Sequence, residues 1–207
     1  MKQFFQLFLA FFFYTVVSVY GSTMNIQKIG DSTALLIIDI QNFYFENGKL
    51  PLVGSVEASL KAKQILEKFR TDKRLVVHIQ HMPTTEVKDM NQYEIHANVK
   101  PLENEKVFQK HFANSFRETG LLEYLKKMGI KRLVICGMQT HMCVEAATRA
   151  ATDYGFECIL IEDACATRNL TFENKTILAK DVHLGVLAAL SGTYAKIVTV
   201  EKFVQSN

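Results

Sequence analysis

The stretch CGMQTHMCVEAATRA, Cys136–Ala150, places two thiols and an imidazole within eight residues. Three uses fit such a set: metal ligation, a buried packing face, or a nucleophile. Metal ligation fits poorly. Cys136 belongs to the apolar run RLVICGM, and His141 and Cys143 sit two apart on a predicted helix. At about 100° per residue that turns them roughly 200° from one another. No C-x-x-C pair occurs anywhere in the chain, so the usual zinc spacing is missing. Packing is the stronger rival. Cys143, Ala146, Ala147, Ala150, Ala151 and Tyr154 recur at helical spacing, a narrow face of mostly small side chains that could lie close on a sheet. The nucleophile reading adds position. Thr140 suits an N-cap and would make Cys143 the third helical residue. Free backbone N–H groups and the positive helix end there would lower a thiol's pKa and could hold an oxyanion.

A thiol nucleophile also needs a proton acceptor and a balancing charge. TALLIID ends in Asp39 and KVFQK ends in Lys110. A carboxylate at the end of an apolar central strand is costly unless paired, and Lys110 could pair it. Asp39 would then accept the thiol proton while Lys110 holds Asp39 and favours charged states. A Cys–His dyad using His81 or His111 stays open on the residues alone.

These residues are positioned by a regular alternation of elements. Apolar runs at TALLIID, RLVVHIQH, KVFQK, RLVICGM, ECILIEDA and AKIVTV read as strands. VEASLKAKQILEKF, with apolar positions at Val56, Leu60, Ile65, Leu66 and Phe69, reads as a helix. So do FRETGLLEYLKKMG, HMCVEAATRAATDYG and NKTILAKDVHLGVLAALSG, each ending at or near a glycine. Continuously apolar strands separated by helices predict a parallel α/β sheet covered on both faces. Such sheets bind ligands at the carboxyl ends of their strands, where Asp39, Lys110 and Cys143 all fall. The polar stretch 83–101 reads as a long loop of the lid kind.

The chain has 207 residues, 48% hydrophobic and 22% charged, with a formal net charge of +3. That is one globular domain, and the balance is too weak to predict a nucleic-acid surface. The first residues differ. Lys2 precedes an almost unbroken apolar run from Phe4 to Tyr20, then Gly21. This is the layout of a secretory signal over residues 1–21, followed by a domain at 24–207. It predicts export, periplasmic or secreted, with no stable membrane association once the leader is cleaved. An uncleaved anchor, or a cytoplasmic protein starting at Met24, are the alternatives. The four cysteines, Cys136, Cys143, Cys158 and Cys165, are expected to be free, because Cys136 and Cys158 lie inside apolar runs and a domain this long has core enough without disulfides.

Together, LLIIDIQNFYF, KHFANSF, LVICGMQTHMCVEAATRAATDYGFECILIEDACAT and VHLGVLAALSGTYAKI resemble the isochorismatase-like cysteine hydrolases, from about Thr33 to Val200. The resemblance implies a three-layer αβα sandwich on a mainly parallel, Rossmann-like sheet. It implies Cys143 as nucleophile, Asp39 as general acid/base and Lys110 as third member. It further implies a cis peptide at Met138–Gln139, with the oxyanion held around Met138, Gln139 and Cys143. The implied chemistry is hydrolysis of an amide-type C–N bond in a small molecule through a thioester, with vinyl-ether hydrolysis or a non-catalytic ligand-binding role as alternatives. No cofactor is expected. The Asp-x-His of metal-dependent nicotinamidases is missing from HIQHMPTTEVKDMNQYEIH, so no metal is expected either. Phe43, Phe45, His81, Phe112 and Phe116 flank the triad and are candidate substrate contacts. The family also implies a homo-oligomer.

Overall fold

The computed structural model describes residues 32–206. The predicted leader, and a start at Met24, lie outside the described residues. Six strands form one parallel sheet: β1 (Thr33–Ile38), β2 (Leu75–His81), β3 (Lys106–Lys110), β4 (Arg132–Met138), β5 (Glu157–Ala166) and β8 (Lys196–Val198). Their order is β3-β2-β1-β4-β5-β8. Every residue of β1 is buried, and all of β4 except Arg132, as central strands covered on both faces require.

Helix α1 (Ser55–Thr71) packs with α5 (Val200–Ser206) on one face, and α3 (Glu145–Asp153) with α4 (Ala179–Leu190) on the other. The short α2 (Leu121–Lys127) links β3 to β4, and the right-handed rule for such crossovers puts it with α3 and α4. The result is the expected three-layer sandwich. Its strand order reverses direction between β1 and β4, and the ends of these two strands open the crevice in which such sheets bind ligands.

Several element predictions need correction. In α1 the buried face is Ser55, Ala58, Ser59, Ala62, Ile65, Leu66 and Phe69, while Val56 and Leu60 are about half exposed. Small residues rather than large ones set how closely this helix lies on the sheet. The helix predicted from Phe116 starts only at Leu121, because Gly120 adopts φ 74° and breaks the turn before it. The helix predicted from Asn174 starts at Ala179. Leu170–Phe172 (β6) and Lys175–Ile177 (β7) instead pair as an antiparallel hairpin. Its two-residue turn, Glu173 and Asn174, has positive φ at both positions, the signature of a tight hairpin turn. The predicted final strand is shorter than AKIVTV, and Val200 opens the terminal helix α5. Tyr154, assigned above to the buried face of α3, is exposed. Ala147, Thr148 and Ala151 carry that face. No helix among the described residues is long and apolar enough to cross a membrane.

Candidate active site

Three strand ends deliver the three predicted residues. Asp39 follows β1 directly, in a left-handed backbone conformation at φ 50° that aspartate tolerates better than most residues. Its N–H donates to the Ile79 carbonyl at 3.0 Å, which ties the turn to β2. Lys110 closes β3 and is the one fully buried residue of that strand. Its Nζ donates to Asp39 Oδ2 at 2.6 Å, with neither side chain exposed. Cys143 follows β4, is 5% exposed, and lies beside the pair. Polar atoms of Asp39, His81 and Cys143 all lie within 4.8 Å of one another.

The approach of β4 depends on Gly137. The register of β4 against β5 shifts between Ile135 and Gly137. Gly137 has φ 134°, and a side chain there would collide with the Ile38 carbonyl of β1. Gly137→Ala should therefore cost roughly 2–3 kcal/mol. A thermal melt checks this, and a variant melting like the wild type would refute the close approach. The next peptide bond, Met138–Gln139, is cis, as the resemblance implied.

The local structure around Cys143 differs from the predicted helix start. Thr140–Val144 form a single π-type turn that runs into α3, an arrangement frequent at functional sites. Gln139, in extended conformation, occupies the cap position. Thr140 caps nothing. Its hydroxyl instead pairs with His183 Nδ1 at 2.9 Å. His141 turns away from the cleft and pairs with Thr167 Oγ1 at 2.6 Å. The expected lowering of the Cys143 pKa is overturned as well. Burial pushes the thiol up, the negative charge of Asp39 pushes it further, and Lys110 only partly offsets them, leaving it at about 12. Burial likewise raises the Asp39 carboxyl against the pull of Lys110. The physical reason is charge count. Asp39 and Lys110 already cancel, so a thiolate would be a net buried charge. Both directions favour a neutral thiol over a buried thiolate at this position. All four cysteines are free and buried.

A cleft of about 520 Å³ opens onto Cys143. Phe43 and His81 line it, as predicted. Phe45, Phe112 and Phe116 do not. Phe45 stacks on His96, Phe112 lies under the Arg117 guanidinium, and Phe116 packs against Phe156 and Tyr154. Residues missed in the sequence take their place, Tyr44 and Tyr93, Lys49 and Met142, together with His111, weighed above only as a dyad partner, and the Pro83–Thr85 part of the long loop. Phe43 touches both tyrosines, with ring centroids 4.0 and 5.4 Å away, so these rings form one aromatic wall. Among the described residues, the cleft lining includes no acidic side chain.

Gln41 was also missed. It is fully buried, and its amide accepts from His81 N and donates to the carbonyls of His81 and Tyr93. It pins the end of β2 and the 83–101 loop to the site. The sequence signal was available: a polar residue two positions after a buried acid at a strand end. A second hollow, of about 570 Å³, runs beside the edge strand β3, but it has no thiol among its lining residues.

This geometry has relatives. The family model described as the isochorismatase domain matches residues 33–190. The uncharacterized isochorismatase family protein YddQ of Bacillus subtilis is 43% identical, covering 84% of this chain and 99% of its own length. The secreted isochorismatase effector Isc1 of Verticillium dahliae is 33% identical over 87% of this chain and 94% of its own. The crystal structure of a putative isochorismatase hydrolase from Oleispira antarctica superimposes with a TM-score of 0.82 at 42% identity, covering 85% of this chain and 97% of that one. The domain match spans every strand end that builds the site, and with these similarities it shows that the chain belongs to the isochorismatase family of hydrolases.

Proposed function

We propose that this chain is a cysteine-dependent hydrolase that cleaves an amide-type C–N bond in a small molecule. The observation that carries the reading is the buried Asp39–Lys110 pair beside a thiol that opens onto a cleft. Because Cys143 rests protonated, attack must be coupled to proton transfer. Sulfur adds to the carbonyl carbon as Asp39 takes the thiol proton. Lys110 keeps Asp39 ionised until then. Backbone around Met138, Gln139 and Cys143 receives the oxyanion. Asp39 then passes the proton to the departing nitrogen, the C–N bond breaks, and a thioester remains on Cys143. Asp39 next deprotonates a water that attacks the thioester; the C–S bond breaks, Asp39 returns the proton to the Cys143 sulfur, and the carboxylic acid leaves. An amine is a poor leaving group unless protonated, so a carboxyl with raised proton affinity suits this bond.

Relatives named streptothricin hydrolase, from Streptomyces noursei, and nicotinamidase 3, from Arabidopsis thaliana, support a hydrolytic role. They are 31% and 28% identical over 79% and 49% of this chain. A second reading, cleavage of an isochorismate-type vinyl ether, is favoured by the name of the isochorismatase effector above. It leaves the nucleophile without a task, which makes it the weaker of the two.

The test incubates the full chain with small amides, carbamoyl compounds and isochorismate, and follows ammonia and pyruvate release together with intact protein mass. Ammonia or amine release with a transient acyl mass on Cys143 is the expected result. Pyruvate release without an adduct would favour the ether reading, and neither product would sink both. We also propose export, on the leader pattern and the word "secreted" in that relative's name. A mature N-terminus near Ser22, found by mass, would support it, whereas soluble protein beginning at Met24 would end it.

A further inference from the structure

We propose that Asp39, His81 and Cys143 form a binding site for one soft divalent cation, of the zinc or cadmium class, which reversibly blocks the nucleophile. The three side chains offer a carboxylate oxygen, a ring nitrogen and a sulfur, all within 4.8 Å of one another. An ion at their centre would be no more than about 2.8 Å from each. Zinc bonds to these donors run about 2.0–2.3 Å, so each ligand need move inward by at most roughly 0.5–0.8 Å.

A second observation points to the same place. Lys110 engages Asp39 Oδ2, but Asp39 Oδ1 is fully buried and has no hydrogen-bond partner among the described residues. A buried, unpaired carboxylate oxygen is costly, and a cation bound at the Asp39 carboxylate between Cys143 and His81 would offer that carboxylate a second positive partner. Cys143 and His81 both line the cleft, which gives the ion an entry path and leaves its fourth position facing the cavity. Three protein ligands with one open position is an arrangement that zinc accepts.

The neighbouring ammonium sets the selectivity. Lys110 Nζ lies 3.3 Å from His81 Nδ1 as well as 2.6 Å from Asp39. A hard cation held by charge alone would be repelled there. A soft cation gains a metal–sulfur bond that magnesium and calcium do not form readily. The exchange balances simply: the S–H bond of Cys143 breaks, the metal–sulfur bond forms, and one proton passes to solvent. With its sulfur bound, Cys143 cannot attack a carbonyl carbon.

The experiment titrates the metal-free full chain with cobalt(II), whose absorption reports both sulfur ligation and tetrahedral geometry. One equivalent should produce a sulfur-to-cobalt charge-transfer band that zinc displaces and excess magnesium leaves unchanged. Cys143→Ser should lose the band, and His81→Ala should weaken binding at least tenfold, both with unchanged circular dichroism. No band, or a band that survives in Cys143→Ser, would overturn the site. Where a hydrolysed substrate is in hand, zinc should inhibit and a chelator restore turnover. Zinc binding without inhibition would also refute the block. The spectroscopic result does not require the amidohydrolase reading, so the two can fail separately.

Discussion

Lys110→Met is expected to destabilise the protein by roughly 3–5 kcal/mol, the usual result of removing one partner from a buried ion pair. Activity should fall at least about a hundredfold, the scale of a lost acid–base contribution. Both effects trace to Asp39. With neither side chain exposed and Nζ 2.6 Å from Oδ2, removing the ammonium leaves a carboxylate inside the sheet edge without a counter-charge. Asp39 would take up a proton instead, since burial already raises it, and a protonated Asp39 cannot receive the Cys143 proton. Methionine keeps most of the volume of the side chain, so little of the loss should come from a cavity. The double variant Asp39→Asn/Lys110→Met separates the two roles. It removes both charges, so much of the stability should return while activity stays absent. Chemical denaturation and turnover of the wild type, Lys110→Met, Asp39→Asn and the double variant check this. A double variant no more stable than Lys110→Met alone would show that the cost does not arise from the stranded carboxylate.

The parts of this site legible in the sequence were those fixed by chain order. An acid after β1, a lysine ending β3 and a cysteine after β4 all fall at the carboxyl edge of a parallel sheet, and those strands were readable as apolar runs; that Lys110 reaches Asp39 across the intervening β2 was not. Three kinds of information were not readable. The proton affinity of Cys143 depends on how deeply it is buried and on its distance from Asp39. Counting backbone N–H groups at a helix start therefore gave the wrong direction. The aromatic lining depends on which way each ring turns. Phe43 and Phe45 are neighbours in sequence, yet one lines the cleft and the other stacks on His96. Finally, the contribution of loop 83–101 to the cleft, through Pro83–Thr85, Val87 and Tyr93, rests on contacts made across long sequence distances by Gln41 and by a second polar cluster. The hairpin at Leu170–Ile177 was an avoidable miss, because Glu173-Asn174 between two β-prone triplets is itself a turn signal.

That second cluster carries the other large effect. Glu105→Ala is expected to cost roughly 3–5 kcal/mol and to loosen the return of the 83–101 loop into β3. Glu105 stands just ahead of β3 with its side chain 7% exposed. It accepts from Arg70 Nε and Nη2 at 2.7 and 2.8 Å, from the Leu102 backbone N–H at 2.9 Å, and from His78 Nε2 at 3.0 Å. His78 is fully buried in β2 and Arg70 lies near the end of α1, so one carboxylate joins a helix, two strands and a loop. Burial pushes this carboxyl up, but the bonds from Arg70, His78 and Leu102 outweigh it and hold it far below the usual range. A depressed folded-state pKa means that the contribution is present above the unfolded carboxylate value, about 4.3. It is lost as pH falls below that value toward the folded-state pKa. Wild-type stability should therefore drop from about pH 4 downward, and Glu105→Ala should show a shallower acid dependence because its loss is already complete at neutral pH. Glu105→Gln, which keeps the shape and loses the charge, should fall between the two. Denaturation curves at several pH values decide it, and parallel acid profiles for wild type and Glu105→Ala would exclude Glu105 as the group responsible. Hydrogen exchange should show faster opening of residues 83–104 in the alanine variant, since Leu102 and the carbonyl of Lys100, which Arg70 also holds, lose their anchor together.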